Sequence, residues 1–221
     1  MKYVEEKKYL GEILTKNMKN EKNIQEKYNK AFGNIRKIKD TLNKRPFEIH
    51  TSKAAMLLRG GILIGSLLSN IEAMVNVTKA DLDKLEKPDI VLQENLLPST
   101  GNASKCFRYL ELGITPVKYV IMEKRLQFLK YILEESIGSM VSQVYHEQKK
   151  ESRKGDFFNM VSKDLMEVNI TMTDVEIRQI SKGQWKRLCK ERTKIKAFSY
   201  LIKENSQKEK KENTSNLKAL K

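Results

Sequence analysis

The side chains from which catalysis is most often built are few in this chain and scattered. His50 and His146 have no motif partner, and Cys106 and Cys189 are too few for a zinc knuckle or a disulfide framework. Two-metal phosphoryl transfer needs carboxylates that converge on ions about 4 Å apart. Asp81 and Asp83 sit two residues apart on a predicted helix and so diverge. Asp89, Asp156, Asp164 and Asp174 are spread along the chain. Walker-type phosphate loops, G-x-S-x-G elbows and H-E-x-x-H helices are absent. No catalytic residue, metal ligand or cofactor site is therefore expected. What the chain has in excess is positive charge: 43 Lys and Arg against 28 Asp and Glu, a formal +15, and a pI near 9.6. That excess runs through segments patterned for structure, so the chemistry it favours is binding of a polyanion, nucleic acid before anionic membrane.

With 221 residues, of which 39% are hydrophobic, the chain can bury a core as one domain or two small ones. Its first ten residues, MKYVEEKKYL, hold no apolar signal core. The most hydrophobic run, 60–71, is about a dozen residues, too short to span a bilayer. Two lone cysteines suit a reducing compartment as core fillers. These points together predict an intracellular protein, nuclear or cytoplasmic, with no membrane partner.

The elements that must carry the charge follow from periodicity. Tyr9, Leu10, Ile13 and Leu14 around Gly11 predict a short hairpin near the N-terminus. Ile24, Tyr28, Ala31, Phe32, Ile35, Ile38 and Leu42 recur at spacings of 3 and 4, an amphipathic helix over 23–43 with Lys30, Arg36 and Lys37 on its outer face. A mostly apolar helix is predicted from Lys53 to about Asn76, its Gly60, Gly61 and Gly65 permitting close packing. Thr78 with Asp81 starts another, which Pro88 is expected to kink or divide. After a loop over 98–102, Gly113 reverses the chain, and Thr115 as N-cap with Pro116 at the first helical position opens a helix to about Leu133. That helix is apolar nearly all round, which marks it as the central post of the fold. Lys124 and Arg125 lie in its apolar sector and need partners, for which Glu111 and Glu134 are candidates. Farther on, Met140, Val141 and Val144 predict an apolar helix face, KKESRKGD a charged linker, and Phe157, Met160, Val161, Leu165 and Val168 a short amphipathic helix. Capping boxes at Thr173/Glu176 and Ser181/Gln184 announce two helix starts. The last helix places Trp185, Leu188, Ile195, Phe198, Leu201 and Ile202 on one side, with Lys186, Arg187, Lys190 and Arg192 elsewhere. Beyond Lys203 the polar, repetitive sequence predicts a disordered basic tail.

Three ordered stretches carry a family resemblance. KKYLGEILTKNMKNEKNIQEKYNKAFGNIRKI, LLRGGILIGSLLSNIEAMVNVTKADLDKLE and YLELGITPVKYVIMEKRLQFLKYILEE resemble the end of the palm and the region after it in reverse transcriptases of non-LTR (LINE-type) retrotransposons, over residues 5 to 205. The resemblance implies that Lys8, Tyr9 and Gly11 belong to a primer-grip hairpin and that the helices after it are a thumb and connector closing on template and growing DNA. The family's catalytic aspartates lie upstream of the matching region. The chain departs from the pattern at Met74, where related sequences usually carry Trp, near Gln93 and Glu94, where a basic residue is common, and at Pro88.

The resulting expectation is a mainly α-helical, thumb-like bundle with a small N-terminal β-hairpin and a disordered basic C-terminal tail. Its parts are 1–22 (hairpin remnant of the palm), 23–98 (thumb-like helices), 99–150 (central helix region), 151–204 (C-terminal helical subdomain) and 205–221 (tail). The expected function is that of a nucleic-acid-binding C-terminal fragment of a reverse transcriptase. It would hold an RNA or RNA/DNA duplex by its phosphates, without polymerising, beside an upstream catalytic domain missing from this chain. Lys8, Tyr9, Gly11, Arg36, Lys37, Lys118 and Lys130 are the expected contacts. The alternative is a decayed or domesticated helical protein-interaction module whose positive charge is incidental.

Overall fold

The computed structural model of the chain describes residues 6–9, 12–15, 20–43, 56–96, 104–136 and 138–219. Two short strands, β1 (Glu6–Tyr9) and β2 (Glu12–Thr15), pair antiparallel with Tyr9 opposite Glu12 and Glu6 opposite Thr15. All other regular structure is helical, so the protein is mainly α. In order these are α1 (Glu21–Asn43), the described part of α2 (56–58), a π-helical stretch Arg59–Ile64, α3 (Gly65–Leu67), a 3-10 turn Ile71–Ala73, α4 (Lys79–Leu96), α5 (Lys105–Glu111), α6 (Val117–Glu134), α7 (Met140–Glu151), α8 (Phe157–Glu167), α9 (Asp174–Gln179) and α10 (Lys182–Ala219).

Two hydrophobic cores share one helix. Ile24, Ala31, Ile35 and Ile38 of α1 meet Leu63, Leu67, Leu68, Ile71, Leu85 and Leu92, and this core is closed by Val117 and Ile121 of α6. The other side of α6, Tyr119, Met122, Leu126, Leu129 and Ile132, packs with Tyr145, Phe157, Val161, Ile177, Trp185 and Cys189. A helix needing apolar neighbours on two sides is thus placed between them, in contact with α4, α7, α8, α9 and α10. Trp185 adds a directed lock, its buried indole N–H donating to the Leu126 carbonyl at 2.9 Å.

Helix ends follow local chemistry. Thr173 and Glu176 form a reciprocal capping box, Ser181 and Gln184 exchange the same pair of bonds, and Thr78 does so with Asp81. After α5 the chain turns at Gly113, φ +62°, where Gly113 N–H donates to the Leu110 carbonyl and Ile114 N–H to that of Tyr109. This is a Schellman stop.

Several expectations are corrected. The N-cap of α6 is Pro116 rather than Thr115, because Pro116 is extended (ψ 149°) and its carbonyl accepts from Tyr119 and Val120. The Thr115 carbonyl instead takes a bond from Arg59 at 3.1 Å. Gly60, Gly61 and Gly65 do not face a neighbour: they are exposed, and a Cβ at any of them would meet open space. Pro88 lies inside an uninterrupted α4, with buried Leu85 and Asp89 on either side holding the helix in place. The segment read as a charged linker is a docked turn: Gly155, φ +91°, gives its carbonyl to Asn76 N–H at 3.1 Å, and Asp156 caps α8. The apolar face foreseen for α7 is turned outward, since Ser142 and Tyr145 are its buried residues while Met140 is 80% exposed. On α10 the buried stripe is Trp185, Cys189, Thr193, Ala197 and Leu201, which leaves Ile195 and Ile202 outside. Of the disordered tail expected over 205–221, the described part is instead helical, because α10 continues to Ala219 through a stretch that no Gly or Pro interrupts.

Two glycine substitutions separate these roles. Gly155→Ala should destabilise the protein by roughly 1–2 kcal/mol through backbone strain, and by more because the added Cβ would run into the Asn76 side-chain amide. Gly33→Ala, in the middle of α1 with open space around it, should stabilise by up to about 1 kcal/mol. Equilibrium urea unfolding monitored by helical circular dichroism would read both signs, and equal shifts would contradict the assignment.

Candidate nucleic-acid interface

The cations of this chain divide into those the fold uses internally and those it leaves in solvent. Arg59 is buried and holds Asp89 with two bonds, Nε to Oδ1 at 2.6 Å and NH2 to Oδ2 at 2.7 Å. Gln93 donates to the same carboxylate at 3.2 Å, and the Tyr109 hydroxyl lies 3.0 Å from both Asp89 and Glu86. Lys105 pairs with Glu86, and Arg108 with Glu94 at 3.2 Å. Burial, and then the charges of Asp89 and Glu86, push the Tyr109 phenol well up, so it stays a neutral donor. Gln93 and Glu94 thus serve partners inside the bundle. On α6, Arg125 meets neither Glu111 nor Glu134: its partner is Asp164, 2.8 Å away, with both side chains nearly buried. Burial, only partly offset by Arg125, raises the Asp164 carboxyl to about 6.

The expected phosphate contacts fare differently. Lys8 and Tyr9 lie on β1, and Gly11 falls outside the described residues. Arg36 and Lys37 stand side by side and exposed on α1, as read from its periodicity. Lys118 is 45% exposed, but its ammonium is held 2.7 Å from Glu167 and rests over the Tyr119 ring. Lys130 is 2% exposed, so it is removed from the contact set. Its Nζ donates to the carbonyls of Ile177 (2.9 Å) and Arg178 (3.2 Å) at the end of α9 and pairs with Glu134 at 3.1 Å. The end of α9 closes over it. Lys118 and Lys130 sit twelve residues apart on one helix, about 18 Å, so the expected residues do not form one patch.

A continuous cationic surface lies elsewhere. Between Lys182 and Lys203, α10 carries eight Lys or Arg and one Glu. Lys186, Arg187, Lys190, Arg192 and Lys194 are all exposed, and none forms an ion pair with a described residue. Spacings of 3 and 4 put Lys186, Arg187, Lys190 and Lys194 in one ridge, about 6 Å per step along the helix. Lys190 and Lys186 also face Glu123, whose carboxyl burial raises against their pull. The buried stripe beneath this ridge fixes it to α6. Sequence reading identified four of these five as polar-face residues without placing them in an interface. The missing signal was the position of the buried stripe, which depends on Cys189, Thr193 and Ala197.

A pocket of about 450 Å³ lies between α4, α5, α10 and the start of α6, with Cys106, Tyr119, Tyr200 and Leu201 among its walls. Lys79, Lys105 and Lys118 are matched there by Asp83, Glu86 and Glu204, so it has no net charge to select a ligand. No group of acids, histidines and cysteines among the described residues could hold a metal ion, and no helix among them is long and apolar enough to cross a membrane. No family model matches the chain, and neither a curated protein nor a solved structure matches it.

The Asp164 carboxyl gives a pH test of the buried pair. Its folded pKa lies above the ordinary value of 3.8, so its contribution to stability is complete below that pH and lost as pH rises through about 6. Carbon-detected NMR should find this carboxyl titrating near pH 6, and Arg125→Gln should move the midpoint higher. A midpoint near 4 would mean that the pair is open to water.

Proposed function

We propose that the chain binds nucleic acid through its phosphate backbone, holding an RNA or RNA/DNA duplex without acting on it. The observation that carries this reading is the α10 ridge: five exposed cations in two and a half turns, unpaired with described residues, on a helix anchored by a buried tryptophan. Such a surface supplies charge at fixed spacing and few groups for reading base edges, which suits shape-selective contact rather than sequence recognition. Arg36 and Lys37 on α1, and in part Lys118, are further phosphate contacts, while Lys8, Tyr9 and Gly11 would lie nearest a primer terminus.

The resemblance to LINE-type reverse transcriptases gives this reading its biological form. On it, the chain is a C-terminal piece comprising the end of the palm and a thumb-like bundle, and bond-making belongs to an upstream catalytic domain that binds beside it. A hairpin followed by helices is the element order that this reading requires. A second reading, a protein-interaction module, is favoured by one observation: α7 turns Met140, Val141 and Val144 outward, 80%, 41% and 50% exposed. It predicts a protein partner captured through α7 and no salt-dependent nucleic-acid binding.

Fluorescence anisotropy with a labelled RNA/DNA duplex across a salt series distinguishes the two. Binding through five phosphates should weaken with a log–log slope of roughly −4 to −5. Arg187→Gln, Lys190→Gln and Lys194→Gln together should lower that slope by about 3, near 1 for each contact removed. No binding at low salt would eliminate the proposal. For Lys130, assigned to the interior, Lys130→Met should destabilise the fold by about 1–3 kcal/mol by leaving the Ile177 and Arg178 carbonyls without their donor, since Glu134 keeps Lys182.

A further inference from the structure

A second cationic surface begins where the ridge ends. Between the outer side of α7 and the last turn of α9 lies an open groove of about 870 Å³, lined by Gln143, His146, Glu147, Lys149, Lys150 and Arg178. The two ammonium groups are only partly committed. Lys149 meets Asp174 at 2.6 Å and Lys150 meets Glu147 at 2.7 Å, yet their side chains remain 49% and 71% exposed, and an ammonium has three donors. Arg178 is exposed and makes no ion pair with a described residue, so its planar fork is unengaged. His146 is exposed beside them, its ring edge-on to Tyr145 at 5.8 Å.

Lys130 fixes the α9 side of this groove. Its ammonium takes the carbonyls of Ile177 and Arg178, which fixes the turn that presents the Arg178 side chain and places a buried positive charge beneath it. Tyr145 and Lys149 both bind Asp174 at the other end of α9, so the helix is tied at its first and last residues. Arg178 precedes Lys182, the first residue of α10, by four residues, so the two cations flank the short turn between α9 and α10.

We propose that this groove is a phosphate subsite that extends the α10 ridge and takes a backbone phosphate of the same nucleic acid, with Arg178 as the principal donor and Lys149, Lys150 and His146 around it. Lys130 is a positioning residue here, acting only through the backbone it fixes. The inference rests on the nucleic-acid reading above. Its occupant is a phosphodiester because the groove is wide and open, Arg178 is engaged by no described residue, Lys149 and Lys150 keep donors beyond their carboxylate partners, and Arg178 stands four residues before the first lysine of α10.

The imidazole of His146 serves as reporter. Ring resonances of the full chain would be followed by NMR at low salt during titration with a short RNA/DNA duplex, with His146→Gln used to assign the signal. The expected result is a saturating shift of the His146 resonance, together with a threefold to tenfold weaker affinity for Arg178→Gln at unchanged thermal stability. If the duplex binds with a slope that depends on the α10 cations while His146 stays unmoved and Arg178→Gln binds normally, the subsite is wrong and the ridge stands. If sodium chloride of matched ionic strength reproduces the shift, it is an ionic-strength effect and the subsite is again refuted. Failure of the duplex to bind at all removes both.

Discussion

Three guanidinium or ammonium groups are taken out of water around α6, and the fold depends on each finding a partner. Arg59 lies under the start of that helix, Arg125 in its middle and Lys130 near its end, and all three are less than a tenth exposed. A buried cation left unpaired costs several kcal/mol, enough to erase much of a domain's stability. The partners come from different elements: Asp89 of α4, Asp164 of α8, and the carbonyls at the end of α9 with Glu134. Apolar packing decides that α6 is central, and its own two buried cations decide its register against α8 and α9, while Arg59, from the π-helical stretch, ties Asp89 of α4 to the Thr115 carbonyl just before it. An apolar helix could slide or rotate by a turn at modest cost, whereas one carrying two committed charges cannot.

That division changes how the net charge is to be understood. A formal +15 suggests a polyanion, but it does not locate one, because part of the charge is structural. Lys27, which donates to the Ser69 hydroxyl at 3.3 Å, belongs with Arg59, Arg108, Arg125 and Lys130 in this internal class. Lysines with a long apolar stem are easily drawn into such positions. The cations that remain available are those on helices whose opposite face is fully occupied by the core, and α10 has the most of them. A charge map drawn from sequence alone would weight Lys130 and Arg187 equally, although one is enclosed and the other stands in solvent.

Much of the fold could be read from residue types. The α1 stripe at spacings of 3 and 4, the centrality of α6 and the capping boxes at Thr78, Thr173 and Ser181 are local signals, and each is found where its chemistry requires. The failures share a cause: they turn on which side of an element a neighbour covers. Met140, Val141 and Val144 looked like a core face, but the neighbouring helix chose the side bearing Ser142 and Tyr145. Lys130 looked polar and outward until α9 closed over it. The α10 stripe runs through a cysteine, a threonine and an alanine, residues too small or too polar to register as a hydrophobic pattern. In the candidate interface, Arg36 and Lys37 were legible because their helix has one buried face, while the ridge on α10 was not, because its buried face is disguised.

Rigidity links the shared helix to the surface that would bind phosphate. The indole of Trp185 bonds the α6 backbone one turn into α10, Cys189, Thr193 and Ala197 continue the buried stripe for about three more turns, and Leu201 then packs with Cys106 and Tyr109 of α5. Cations between these anchors are therefore held at fixed spacing before any ligand arrives. A flexible lysine-rich tail must lose backbone freedom of about 1–2 kcal/mol per residue when it binds, and a helix already packed on a core has given that up in folding. Preorganisation of this kind raises affinity without adding a contact. It also requires that anything loosening α6, such as loss of the Lys130 anchor or of the Arg125–Asp164 pair, be felt at Arg187 and Lys190, which touch none of those residues. The interior charges and the surface charges are thus two parts of one arrangement, in which the first set determines whether the second can act together.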